Sequence, residues 1–380
     1  MKTGTRFFAL AAVCLLLFAL LSGCKGQAAH AEIFSGAECL SSMELSFATQ
    51  FSVDYYAGGY KLITLADGSR FLTVPEGAEA PRGLAADITP LYQPVRNIYL
   101  AATSAMCLFD SLDRLDAIRL SGTREDGWYV AHARERMQSG QILYAGKYSA
   151  PDYELILSEG CPLAVESMMI GHASAVREKL TQLGIPVLMD QSSNESHPLG
   201  RTEWIKLYAA LLNEEDRAAE IFSEQEAIVR ETTGRGDTGK TVAFFFISSA
   251  GKAVVRKSGD YVSRMIELAG GEYVFRDLTS DKKTSTVALE MEAFYRTAKD
   301  ADVIIYNATI DGELTTLREL TDKSGLLKDF KAVQEGNVWC TGQNTYQQIT
   351  SLGQMIRSFH EAFTDDDHRI ASLPYLYRLQ

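Results

Sequence analysis

Only one long apolar run occurs in the sequence, Phe7 to Leu21, and no later stretch is long enough to cross a bilayer. Cysteine is sparse, with six in 380 residues and no Cys-x-x-Cys, so neither a zinc site nor a dense disulfide scaffold is indicated. Cys39, Cys107, Cys161 and Cys340 are expected as buried free thiols. The histidines (His30, His132, His172, His197, His360 and His368) contain no pair four residues apart and no His-rich loop. A bare-metal site would gather several imidazoles or carboxylates in one place, so none is expected. His197, directly before Pro198, reads as a turn residue. No Gly-x-Ser-x-Gly elbow or clear carboxylate pair is present, which leaves catalysis without a candidate centre, and no enzyme is expected. Basic residues are also outnumbered, 37 against 49 acids for a net charge of −12. A surface that acidic repels phosphate backbones and excludes nucleic acid as a partner.

What is present begins with a targeting signal over residues 1–23. Lys2 and Arg6 precede the apolar run, which is the length of a secretory core and short for a membrane span. It ends in Leu21-Ser22-Gly23-Cys24, which resembles the bacterial lipobox. The resemblance implies cleavage before Cys24 and diacylglycerol on its sulfur. Two or three acyl chains hold a protein at a membrane where one does not. The expected location is therefore the outer face of the bacterial cell membrane, with residues 24–50 as a flexible tether. Without Lys2 and Arg6 the charge is near −14.

The remainder is long enough for two domains. An N-terminal lobe is expected over 51–200, opening with a β-hairpin at 60–74, where two β-rich runs flank Ala66-Asp67-Gly68-Ser69. From Arg96 short apolar strands alternate with helices, the pattern of parallel βα units. Residues 201–233 read as helix with one interruption at Asn213-Glu-Glu-Asp, and suit a rigid strut reaching roughly 50 Å. The alternation restarts at Thr241, giving a C-terminal lobe over 240–375 in which a strand, Ser248-Ser249 and a helix repeat the opening of the first lobe. The expected fold class is α/β, with two Rossmann-like lobes, each holding a central mostly parallel sheet, joined by a long helix.

Gly234-Arg-Gly-Asp-Thr-Gly239-Lys240-Thr241 matches the P-loop and GxGxxG patterns letter for letter. The mechanism needs a strand before the glycines and a helix after them. Here the helix comes first, so a connecting loop is expected. The embedded Arg235-Gly236-Asp237 is too short to carry an adhesion reading unaided.

Several stretches, in order around the strut, resemble the cobalamin- and siderophore-type substrate-binding proteins of ABC importers. They are Asn97-Ile-Tyr-Leu-Ala-Ala-Thr-Ser-Ala, Ala150-Pro-Asp-Tyr-Glu154-Leu-Ile-Leu, Gln182-Leu-Gly-Ile-Pro-Val and Ile266-Glu-Leu-Ala-Gly-Gly. The resemblance implies a monomer that captures an iron chelate or corrinoid and delivers it to a permease dimer with its ATPase subunits. It implies no resident cofactor, since iron or cobalt would arrive with the ligand. It also implies one permease-docking glutamate per lobe, Glu154 and Glu290, each able to meet an arginine bidentately. Ligand in such folds lies where strands end. That places Thr103, Ser104, Arg124, Trp128, Tyr129, Met168 and Met169 on the first lobe, and Ser248, Ser249, Arg256, Tyr261, Asn307 and Tyr346 on the second. A haem carrier, a surface enzyme acting on a chelate, and an adhesin are the alternatives.

Overall fold

A computed structural model describes residues 33–34, 36–280 and 284–380. The signal segment and Cys24 lie outside the described residues. The expected hairpin is present as β3 (Lys61–Leu65) and β4 (Arg70–Val74), turning at Gly68 with φ 86°. It belongs to a larger sheet in the order β1-β2-β3-β4-β5, with β1 (Cys39–Ser42), β2 (Phe51–Tyr56) and β5 (Ile88–Tyr92). All pairings are antiparallel except β4 with β5. Alternation buries both faces. Phe51, Val53, Ile63, Leu65 and Phe71 face the main core, while Tyr56, Leu62, Leu72 and Ile88 close on Ile33 and Phe34.

This corrects the tether. Residues 39–42 pair as β1, and residues 46–50 are held by two carboxylates about 150 positions away in sequence. The amides of Ser46, Phe47 and Ala48 donate to Glu203 at 2.7–3.2 Å, and those of Thr49 and Gln50 donate to Glu195 at 3.0–3.1 Å. Both acids are buried, so each amide replaces water that the carboxylate has lost. Gly200 permits the approach, because a Cβ there would stand 3.0 Å from the carbonyl oxygen of Phe47.

The first lobe follows as β6 (Ile98–Leu100), β7 (Ile118–Ser121), β8 (Leu143–Tyr144), a small ribbon of β9 (Gly146–Lys147) with β10 (Ala150–Pro151), β11 (Ala164–Ser167) and β12 (Val187–Asp190). The sheet order is β12-β11-β6-β7-β8 and every pair in it is parallel. The second lobe contains β13 (Lys240–Ile247), β14 (Ala253–Arg256), β15 (Gly271–Tyr273), β16 (Thr286–Leu289), β17 (Val303–Tyr306), β18 (Val338–Thr341) and β19 (Leu376–Arg378). Its order is β16-β14-β13-β17-β18-β19, with β15 also on β13. The centre β13-β17-β18 is parallel, as expected, and the edges are antiparallel. Ser248 and Ser249 therefore turn a hairpin into β14 and do not lead into a helix. The Ser248 amide donates to Lys252 O at 2.9 Å, and Gly251 takes φ 72°.

The strut also differs from expectation. It is three helices, Pro198–Glu203, Ile205–Leu212 and Glu215–Thr233, and the longest spans about 28 Å. Asn213, at φ 60° and ψ 44°, ends the second in the left-handed region. Only Lys206 of Ile205–Leu212 escapes full burial. That helix packs on β2 and on the helix Met106–Ser111, whereas Glu215–Thr233 lies along the helix Leu352–Phe363. Gly353 allows this second contact, since a Cβ there would sit 2.8 Å from Gln225 O. The junction is thus a packed layer inside one continuous hydrophobic core. Residues 234–239 connect helix to strand, as the order of elements required, and Arg235 pairs with Glu231 at 2.8 Å.

Candidate ligand-binding cleft

Where β6, β7 and β11 end, the first lobe presents short turns toward the second. Thr103 and Ser104 form a half-buried turn that packs against the turn Gln343–Gln347 of the other lobe. After β7, Ser121 organises the next loop. Its hydroxyl donates to Thr123 O at 2.7 Å and accepts from the Trp128 indole at 3.1 Å. Trp128 is 1% exposed and packs in the core. The expectation that it touches ligand is corrected: an indole that supplies this much apolar area is best satisfied inside, with its N–H paired. Its neighbour Tyr129 points outward and is 41% exposed.

Tyr129 stands where the lobes meet. Its amide donates to Gln347 Oε1 at 2.8 Å, and Gln347 Nε2 donates to Gly127 O at 2.8 Å. Gln347 is fully buried, so this bridge is shielded from water. The Tyr129 hydroxyl donates to Gln343, and its ring lies edge-on to Tyr346 with centroids 6.5 Å apart at 80°. Burial first, then the nearby Tyr346 and Glu313, raises the Tyr129 phenol above its ordinary pKa, so it remains protonated at neutral pH.

On the second lobe, Phe244, Arg256, Tyr261, Asn307, Thr341, Tyr346 and Met355 line a cavity of about 50 Å³. Four expected residues, Arg256, Tyr261, Asn307 and Tyr346, are brought together there. Asn307 is buried and also caps Ala308–Asp311 by accepting from the Thr309 amide at 3.2 Å. Arg256 faces Asp260 at 3.6 Å and lies 5.8 Å from the Tyr261 ring centre.

Other expected residues are more dispersed. Met168 and Met169 are exposed on the turn after β11, and Arg124 is exposed with its guanidinium 4.2 Å over the Tyr144 ring. Ser248 and Ser249 sit at the β13–β14 hairpin tip. Glu154 is exposed in the first turn of Tyr153–Ser158. Glu290 precedes Met291–Ala298 and pairs with Lys252 at 2.5 Å. His197 is the expected turn residue, its Nδ1 accepting from the Leu199 amide at 3.2 Å. Among the described residues no group of His, Cys, Asp and Glu is placed to hold a metal. The cysteines Cys107, Cys161 and Cys340 are buried and free, and Cys39 is half-buried and free. Gln343, Gln347, Phe244 and Arg201 were not expected at the lobe junction. No local spacing marks them, because only the meeting of two distant segments gives them their roles.

A family model described as periplasmic binding protein matches residues 123–355. The chain belongs to the periplasmic binding protein family. An uncharacterised lipoprotein of Methanocaldococcus jannaschii is 24% identical over 378 residues, covering 90% of this chain and 88% of the relative. A second lipoprotein of the same organism is 25% identical over 342 residues, covering 85% and 83%. Among solved structures, the periplasmic haem-binding protein of Vibrio cholerae gives a TM-score of 0.56 at 17% identity, covering 69% of this chain and 98% of that one. A Fe3+-hydroxamate transport protein of Saccharomonospora viridis gives 0.56 at 19%, covering 71% and 93%. The periplasmic vitamin B12 binding protein of Vibrio cholerae gives 0.51 at 15%, covering 73% and 99%. At these identities the likeness establishes the fold alone, two α/β lobes as in those proteins.

Proposed function

We propose that this periplasmic binding protein captures an iron chelate or corrinoid outside the cytoplasm and hands it to the permease of an ABC importer. The observation that carries the reading is the aromatic rim where the lobes meet, with Tyr129 from one lobe edge-on to Tyr346 of the other above the apolar cavity of the second lobe. Flat ring faces suit a corrin or an aryl chelator. Binding pockets for such ligands occupy roughly 300–1,000 Å³, far more than the cavity offers. Ligand entry therefore parts the Tyr129–Gln347 contact, and the packed helical junction limits the opening to a small rotation. Catch and release are non-covalent, and the anchor implied by Cys24 would keep the carrier near its permease.

A thermal-shift screen against cobalamin, haem, ferric catecholate and ferric hydroxamate tests this. One of them is expected to raise the melting temperature with the logarithm of its concentration. Absence of any shift, or chemical turnover of the chelate, contradicts the proposal. Haem is the second reading, because Tyr129 or Tyr346 at the rim can approach iron. A Soret band in protein from haem-fed cells, lost in Tyr129→Phe or Tyr346→Phe, would favour it.

A further inference from the structure

The helix Met106–Ser111 starts at the cleft turn Thr103–Ala105 and ends, about 9 Å farther on, at a second concavity. This is a groove of about 730 Å³ between the lobes. Ser111 comes from the first lobe, Thr350 and Ser351 come from the second, and one wall is the start of the helix Glu215–Thr233. Its size falls within the roughly 300–1,000 Å³ of small-molecule sites. Acids outnumber bases along the wall, with Glu214, Asp216 and Glu220 against Arg217. Two of these side chains are committed. Glu214 pairs with Arg114 at 3.0 Å, and Arg217 Nε donates to Ser111 O at 2.9 Å. Asp216 and Glu220 are exposed and pair with nothing among the described residues. They stand four positions apart, on one face of the helix, where like charges repel. The helix N-terminus favours Asp216 in its first turn, but Glu220 lies beyond that reach. Farther along the same wall Gln225 is 6% exposed, and its Oε1 is buried without a hydrogen-bond partner.

A buried acceptor left unpaired is costly unless a donor arrives. The three unpaired groups of this wall are all acceptors, two anionic and one neutral, with the half-buried Ile221 between Glu220 and Gln225 in sequence. We propose that the groove is a second binding site, separate from the cleft, and that it takes an organic polyamine. Ammonium groups donate to Asp216, Glu220 and Gln225 Oε1, and the methylene chain lies on Ile221. Helix rise sets the spacing, roughly 6 Å along the axis from Asp216 to Glu220 and roughly 8 Å from Glu220 to Gln225. An extended chain carrying several nitrogens can follow such a row. A bare metal ion does not suit it, since among the described residues no group of His, Cys, Asp and Glu converges to hold one. Because the walls come from both lobes, a polyamine bound here bridges them without entering the cleft.

Calorimetric titration of the full chain with spermidine tests the site, with butylamine and Mg2+ at matched ionic strength as comparisons. Spermidine is expected to saturate one site per chain and to bind at least about tenfold more tightly than either comparison, because its nitrogens act together. Asp216→Asn combined with Glu220→Gln is expected to weaken it about tenfold, as for two ion pairs near a protein surface. Gln225→Leu is expected to weaken it about threefold to tenfold. That variant removes the unpaired acceptor, so its ligand-free melting temperature is expected to equal or exceed that of wild type, which separates a lost ligand contact from a lost fold. Glu178→Gln combined with Glu335→Gln removes the same charge from exposed positions outside the groove and is expected to leave spermidine affinity unchanged. An equal loss in that control would mean diffuse attraction to an acidic surface and overturns the site. So does the absence of saturable binding, Mg2+ bound as tightly as spermidine, or affinity unaltered in both groove variants.

Discussion

Glu166, on β11, is fully buried, and neither carboxylate oxygen has a hydrogen-bond partner among the described residues. It occupies the same face as Tyr99, Ala164 and Met189, within the smaller apolar cluster of the first lobe, with Tyr153 and Tyr144 nearby. Burial pushes its pKa up to about 8 from an ordinary 4.5. Between those values the native state holds a proton that the unfolded chain has released, so stability falls as pH rises through that window. The contribution is fully present below 4.5 and lost above about 8. Glu166→Gln is expected to raise the melting temperature at pH 8, by about 2–4 °C for each kcal/mol recovered, and to flatten its decline between pH 5 and pH 8. Melts across that range check it, and an unchanged pH slope would contradict a buried neutral acid. Single residues were the hardest scale to read from sequence. Trp128 and Tyr129 are adjacent after the same strand, yet one is core and one is rim, because the Ser121 hydroxyl captures the indole. Arg201 stands among apolar helix residues like any surface arginine, and only the packing of the second lobe buries it.

At the scale of elements, the break between Ile205–Leu212 and Glu215–Thr233 leaves the last carbonyls of the first helix without helical partners. Side chains from elsewhere receive them. Lys61 Nζ donates to Ala210 O at 3.2 Å and Asn213 Oδ1 at 2.7 Å, and pairs with Glu215. Gln93 Nε2 reaches Leu211 O at 3.1 Å, and Arg114 reaches Leu212 O at 2.8 Å and Glu214 at 3.0 Å. The N-terminal sheet thus braces the point at which one lobe hands over to the next. Lys61→Met combined with Gln93→Leu is expected to cost about 2–4 kcal/mol and to speed amide exchange around 213–218 before the rest of the chain. Protection unchanged there would mean the break needs no brace. The interruption itself was legible, since Asn213-Glu-Glu-Asp reads as a fresh helix start and Glu215 and Asp216 do fill the first turn. The ordering of residues 36–50 was not. Their Ser- and Ala-rich composition has no period, and their order comes from the pairing of β1 with β2 and from Glu195 and Glu203 far along the chain.

For the whole molecule, two α/β lobes were legible because each repeats strand and helix at short spacing, and the structural neighbours share that arrangement. Their fusion into one core was not, since contacts between distant segments leave no local pattern. The exposed Glu154 and Glu290, one on each lobe, are proposed to meet arginines of the permease. Reversing both to Arg is expected to abolish ligand uptake in cells while leaving the dissociation constant of the purified protein unchanged. Uptake at the wild-type rate would place docking elsewhere. The most direct test of the account is a crystal structure with whichever chelate the thermal screen selects. The account predicts that ligand between Tyr129 and Tyr346, beside Tyr261, with the two lobes slightly parted around an unchanged helical junction. Ligand bound on the N-terminal sheet or on an outer face, with Tyr129 still joined to Gln347, would contradict it.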